Sequence, residues 1–543
     1  MQQQADLLFL NGRVYTMDRR APYATAVAIA GNRILAVGMD EEMMDLHGTH
    51  TRVVDLKGRP LLPGFTDSHI HLVEWALQRK QVNLWGIPTL QETLERVGRT
   101  AQQLPAGEWL RGGGWDASLW SDLNGPWPTA AQLDRVAPDR PVALDSKDLH
   151  TLWVNTRALR LAGITAQTPD PPGGVIVRDA QSGEPTGILK ETARALVSRL
   201  YPPETEDVWL KATQEGLRDL WTRGITSVHI MHDREDMRNF RTLQRLREEG
   251  LRLIRSLVYF PASRLEDVIR LGLRSGFGDA FVRVGGIKFF ADGTLGSQTA
   301  AMLAPFNGSD NVGVLVTPPE ELYEGIFRAS NAGLAVAVHA IGDRANHEVL
   351  NIFDVMRKEE TNRQRLPFLP HRIEHVQLLQ KEDIQRLGKL GLVASMQPIH
   401  ATQDMDLARA YWGEQRSRFA YAWRSIQRHQ ALLVFGSDAP VEQPDVIAGI
   451  HAAITRQRVS GEPEGGWVPE ERLCIRPTLH AYTLAPAMLS RTAAWQGSLY
   501  PGKVADLVVL SHDPVWLAYH TPQDLLQVHV DMTVLDGEIV YER

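Results

Sequence analysis

Eight apolar runs separated by amphipathic stretches constrain most strongly how this 543-residue chain can fold. They cover residues 61–71, 226–232, 253–260, 282–292, 334–342, 368–376, 392–398 and 432–440. Several are unbroken Val/Ile/Leu/Phe/Ala segments, the pattern of parallel strands covered on both faces. Residues 233–249 show the intervening type: Asp233 as N-cap, Met237, Phe240, Leu243 and Leu246 at helical spacing, and Gly250 as the stop. Eight strand–helix repeats predict an α/β fold, a (β/α)8 TIM-like barrel whose chemistry sits at the C-terminal ends of its strands. A doubly wound open sheet is the competing architecture, but no glycine-rich dinucleotide loop follows the first strand.

The two ends of the chain read differently. Short strands punctuated by Gly12 and Gly31-Asn32 fill residues 1–60, and similar ones around the Asp536-Gly537 turn fill residues 495–543. Together they predict one small β-sandwich built from both termini, with the barrel over residues 61–494. The interval between the first and second barrel strands is too long for one helix, so residues 75–201 are expected to form an inserted lid subdomain. It holds Trp109, Trp115, Trp120, Trp127 and Trp153. Most of these supply its core, while Trp115 and Asp116, after Gly112-Gly113-Gly114, are expected to reach substrate.

Chemistry is read from what ends each strand. The first run closes Asp67-Ser68-His69-Ile70-His71, and on a strand His69 and His71 share a face. The fifth closes on His339, the sixth on Glu374-His375 and the eighth on Ser437-Asp438, while Lys288 lies within the fourth. Imidazole nitrogen and carboxylate oxygen suit zinc or a similar divalent ion. Four histidines and an aspartate at one end of a barrel can hold two ions about 3.5–4 Å apart, which would bring bound water to hydroxide near neutral pH. An ammonium beside two cations would be repelled, so an inward-pointing Lys288 must be neutral or modified. Asp438 can shuttle a proton to a leaving nitrogen. Gln397 ends strand seven and is placed to hydrogen-bond substrate. His150 and His400 are further candidates for substrate contact or ligand support.

The remaining composition narrows partners and setting. A net charge of −7 without a basic block argues against nucleic acid. The single cysteine, Cys474, excludes an intramolecular disulfide and fits a reducing compartment. No apolar run is long enough to span a bilayer. A cytoplasmic protein acting on a small molecule, without a membrane partner, is expected.

The ordered series ADLLFLNGRVYTMD, PGFTDSHIHL, GGGWD, GEPTGILKE, IKFFADGTLGSQTA, VHAIGDRAN, RIEHVQ, MQP, GSDAPV and PGKVADLVVL resembles the metal-dependent amidohydrolase superfamily, in its amidohydrolase-3 branch. That branch contains N-substituted formamide deformylase and YtcJ-like proteins, and the resemblance spans nearly the whole chain. It implies a binuclear site in which Lys288, carboxylated by CO₂, bridges two divalent ions, zinc foremost. By the same resemblance His69, His71 and Asp438 hold one ion and His339 and His375 the other, and a homodimer is common among relatives. The expected reaction is hydrolysis of a non-peptide C–N bond, an amide or N-formyl group, by a hydroxide bridging the metals. The segment Asp148-Leu149-His150 departs from the pattern, with leucine where relatives often have glycine. Two alternatives remain: a mononuclear deaminase, which would typically carry a glutamate where Gly342 stands, and a barrel retained as a non-catalytic scaffold.

Overall fold

Gly64 divides the first apolar run into two strands that belong to different sheets. A side chain there would collide with Thr226, so the chain can pass close to its neighbour only as glycine. In the computed structural model, which describes residues 3–543 apart from 80, 106, 148–150, 203, 232–233 and 364–365, Pro60–Pro63 pairs with Leu507–Leu510 and Arg13–Tyr15. The order in that sheet is Glu538–Glu542, Val530–Leu535, Leu507–Leu510, Pro60–Pro63, Arg13–Tyr15, Tyr23–Ala24. A four-stranded sheet runs Arg33–Gly38, Ala26–Ala30, Leu7–Leu10, Arg52–Asp55. Leu7, Phe9, Val27 and Ile29 from the smaller sheet share an apolar core with Leu61, Leu507, Val509 and Val534 from the larger. Strands from both chain ends meet in that core.

After Gly64 the chain enters β1 (Phe65–Ile70). It is followed by β2 (Ile225–Ile230), β3 (Arg255–Pro261), β4 (Val282–Phe290), β5 (Ala335–Ala340), β6 (Arg372–His375), β7 (Val393–Met396) and β8 (Leu432–Phe435). These lie side by side in chain order and in parallel, a nearly closed eight-stranded barrel. Closure between β8 and β1 runs through the segment after β8: Asp438 N–H donates to His69 C=O at 2.7 Å, and His71 N–H to Ala439 C=O at 2.8 Å. Gly436 permits this approach, since a side chain there would meet the His69 backbone nitrogen. The seam that closes the barrel therefore also carries three of the expected ligands.

The chain divides into two units, Met1–Trp75 with Thr213–Arg543, and Ala76–Ala212. The second has its own six-stranded sheet, in the order Gly174–Arg178, Pro185–Glu191, Thr151–Val154, Val142–Ser146, Leu110–Trp115, Val82–Asn83. One expectation is corrected here. Trp115 is not available to a ligand: it is 1% exposed, packs at 5.9 Å from Trp120 and 6.1 Å from Trp153, and donates its indole N–H to Leu144 C=O. Its position on the strand turns the ring into the unit's own core, where tryptophan finds both area and an acceptor. Asp116, half-buried, follows directly on that strand within the same unit. Among the described residues no helix is long and apolar enough to cross a membrane.

Candidate metal centre

The residues ending the barrel strands converge. His69 Nε2 and His71 Nε2 both lie 3.2 Å from Asp438 Oδ1. The His69 and His375 rings are 4.9 Å apart, and those of His339 and His375 are 4.6 Å apart. One nitrogen each from His69 and His375 and one oxygen from Asp438 fall within 4.8 Å of one another, a spacing that suits a single ion. This tightest group crosses the division expected from the sequence, since it takes His69 and Asp438 from one proposed ion and His375 from the other. Lys288, on β4, is buried among the same strands, with Nζ 5.0 Å from the Phe290 ring centre.

Three of the candidate ligand histidines are oriented by the nitrogen they turn away from the others. His69 Nδ1 is 2.6 Å from Glu374 Oε2. Glu374 is fully buried; burial favours its neutral form, but Arg372 and the His69 ring overcome this and hold its pKa well below the usual carboxylate range. Nδ1 therefore carries a proton. His339 Nε2 lies 2.9 Å from the Gly293 carbonyl, which can only accept, so there the lone pair stays on Nδ1. His375 Nδ1 lies 2.9 Å from Gln397 Oε1, leaving its Nε2 free. Fixing the tautomer through the far nitrogen is the usual outer support of a metal-binding imidazole.

The charges at His339 and His375 agree with that use. Burial pushes His339 down to about 3, with Lys288 adding to the effect. His375 is held well below its ordinary value, first by burial and then by His339. Neutral imidazole is the form that binds metal. Burial would raise the Asp438 carboxyl, but the His69 and His71 rings win and it stays ionised. Burial would likewise lower His69, and Asp438 and Glu374 together raise it instead. Lys288 is lowered by burial to about 8, against the opposing pull of Glu374 and Asp438.

Beneath the ligands lies a polar layer inside the barrel. Arg372 and Glu374 alternate inward from β6; the guanidinium donates to Ser68 C=O at 2.7 Å and to His229 Nδ1 at 3.1 Å. That arrangement makes His229 a buried structural partner of Arg372. Asp67 accepts from the backbone N–H groups of His69 and Ser437, pinning β1 to the segment after β8. Asp292, following β4, accepts from the N–H groups of Ala301, Ile341 and Gly342 and sits 3.6 Å from His339 Nε2. It organises the loop that presents Gly293 to His339. His375 and Asp438 take φ values of 72° and 62°, left-handed conformations that cost non-glycine residues about 1–3 kcal/mol each. That strain turns both side chains out of the strand direction towards the cluster.

Gln397 is corrected in part: its oxygen faces His375, so it supports a ligand before it can meet a substrate. His400, in the helix Pro398–Gln403, stacks on His375 at 6.1 Å with Nε2 3.8 Å from Asp438 Oδ2. His150, expected near substrate, lies outside the described residues, as do His232 and Asp233. Glu374, Asp67 and Asp292 were not expected from the sequence. The signal for Glu374 was present in Arg372-Ile373-Glu374, since alternation places Arg372 and Glu374 on one face.

Known proteins share this layout. The chain is 34% identical over 518 residues to Protein LONG AFTER FAR-RED 3 of Arabidopsis thaliana, covering 93% of this chain and 87% of that one. It is 30% identical over 561 residues to N-substituted formamide deformylase of Arthrobacter pascens, covering 100% and 99%. An uncharacterized metal-dependent hydrolase from Pyrococcus furiosus superposes with a TM-score of 0.75 at 28% identity, over 94% of this chain and 99% of that one. The amidohydrolase family profile (Amidohydro_3) matches residues 52–541, from the terminal sheets through every ligand-bearing strand. A barrel with histidines at the ends of β1, β5 and β6 and an aspartate after β8, matched along almost its whole length, belongs to the amidohydrolase family.

Proposed function

We propose that the chain hydrolyses a carbon–nitrogen bond outside peptide backbones, in an N-formyl or other small-molecule amide, at a two-metal centre. The observation carrying this reading is the ligand set itself: imidazoles beside an ionised carboxylate, with the far nitrogens of His69, His339 and His375 already committed to acceptors. His69, His71 and Asp438 would hold one ion, His339 and His375 the other, and a carboxylated Lys288 would join them. When bound, such ions activate water and polarise a carbonyl. Burial of Lys288 supports its modification, because only the neutral amine adds CO₂ and burial favours that form. The formamide specificity rests on the deformylase relative.

The protein's own part falls chiefly to Asp438. Oδ1 faces both His69 and His71, leaving Oδ2 to accept the proton of the attacking water and return it to the departing nitrogen. The new C–O bond replaces the C–N bond, giving a carboxylate and an amine. The two terminal sheets, sharing one core, are read as a single β-sandwich domain.

A second reading, a mononuclear deaminase, draws on the compactness of His69, His375 and Asp438, which alone would satisfy one ion. Metal-loaded protein assayed on N-formyl amines, anilides and N-acyl amino acids, beside cyclic amidines and aminopurines, separates the two. Release of amine and carboxylate from the first group is expected, with Asp438→Asn lowering kcat by about 10²–10⁴ at unchanged circular dichroism. Near-normal rates in fully metallated Asp438→Asn, or ammonia released only from the amidines, would overturn the proposal.

A further inference from the structure

Gln397 is the last residue before the helix Pro398–Gln403, and His400 lies in that helix's first turn. Both are buried, at 1% and 6% exposure, yet among the described residues Gln397 Nε2 and both ring nitrogens of His400 have no hydrogen-bond partner. Buried polar groups are nearly always satisfied, and those left open beside a reactive centre are open to something that binds there. The orientation of the Gln397 amide follows from chemistry. If His375 offers Nε2 to a metal, its Nδ1 carries the proton and needs an acceptor; Gln397 Oε1, 2.9 Å away, is that acceptor. The NH₂ group must then face elsewhere, and none of the described residues receives it.

His400 meets the same gap from the other side. Its ring lies nearly parallel to His375, at 16°, and its Nε2 is 3.8 Å from Asp438 Oδ2, beyond hydrogen-bonding range. A reacting group seated beside both would set its attacking water or departing nitrogen at the carboxylate and its acyl oxygen at the imidazole. Among the described residues no side chain fixes the tautomer of His400, so either nitrogen can present an N–H.

We propose that Gln397 and His400 are the protein's own hydrogen-bond donors to the acyl oxygen of the substrate as that oxygen gains negative charge. The proposal rests on the amide-hydrolase reading of the centre and adds to it the residues that touch the reacting group from the β7 side. Gln397 acts twice, through Oε1 on His375 and through Nε2 on substrate. Neither residue transfers a proton; both protons stay on nitrogen throughout, and the contribution is a fixed pair of dipoles. The corner therefore selects substrates with an oxygen acceptor on the reacting carbon, as in formamides and anilides, over amidines, which have none.

The test compares wild type, His400→Phe, His400→Asn and Gln397→Glu, all metal-loaded, with formanilide as substrate and methylphosphonate as a small tetrahedral oxyanion. Gln397→Glu keeps the acceptor for His375 and removes the donor; His400→Asn keeps a donor and removes the ring. His400→Phe and Gln397→Glu are each expected to lower kcat by about 10²–10³ with KM within about threefold. Methylphosphonate binding, followed by calorimetry, should weaken at least about tenfold in both, while metal per chain is unchanged and His400→Asn recovers part of the loss. Unchanged kcat and methylphosphonate affinity overturn the proposal, as does a loss of activity that only tracks lost metal. Should His400→Phe fail to fold, His400→Asn and Gln397→Glu carry the same comparison. If methylphosphonate binding depends on both residues while wild type releases amine from no amide, the donor corner stands and the amide reading falls.

Discussion

The Nδ1 atom of His69 lies 2.6 Å from Glu374 Oε2, with both side chains closed off from water inside the barrel. These two residues are 305 positions apart in the chain, and Arg372 holds the other side of the carboxylate. The contact fixes the ring that begins the metal cluster.

Replacing Glu374 with glutamine keeps the shape and an acceptor but removes the charge that balances Arg372 and raises His69. Metal affinity should fall about 10–100-fold, measured by competition with a chelator. An unchanged affinity would mean that Glu374 serves only the packing of the barrel interior.

Lys288 gives a pH dependence. Burial lowers its pKa to about 8, so in metal-free protein the neutral amine grows as pH rises towards that value and then saturates. The initial rate of mass gain from CO₂, at fixed dissolved CO₂, should therefore climb with pH and level off above about 8. An initial rate that still rises tenfold per pH unit up to pH 10 would show an unperturbed lysine, and no gain at any pH would remove the carboxylated bridge.

Trp115 tests the inserted unit. Trp115→Ala should destabilise that unit by about 3–5 kcal/mol, since it leaves a cavity and an unpaired Leu144 carbonyl. Chemical unfolding followed by tryptophan fluorescence reads this directly. Unchanged unfolding together with a raised KM would instead return Trp115 to the substrate.

The barrel and the converging side chains at its strand ends are legible in the sequence because both depend on local pattern. Unbroken apolar runs mark covered parallel strands, and His69, His71, His339, His375 and Asp438 were named from their places at strand ends. What escaped depends on distance or on backbone conformation. Nothing local to Glu374 announces His69 as its partner. Gly64 sits inside what reads as one continuous strand, yet it passes the chain from one sheet to another. The left-handed φ at His375 and Asp438 breaks the alternation on which facing was judged. Trp115 was misplaced for a related reason: a glycine-rich approach suggests exposure, whereas its register beside Ser146 on Val142–Ser146 turns the ring inward.

Metal content of the purified protein, by elemental analysis per chain, tests the central claim most directly. The account predicts two divalent ions in wild type, and loss of at least one in His375→Ala and in Asp438→Ala, with amide hydrolysis falling in step. A folded protein that holds no ion and still hydrolyses its substrate, or that retains full metal in both variants, would contradict it.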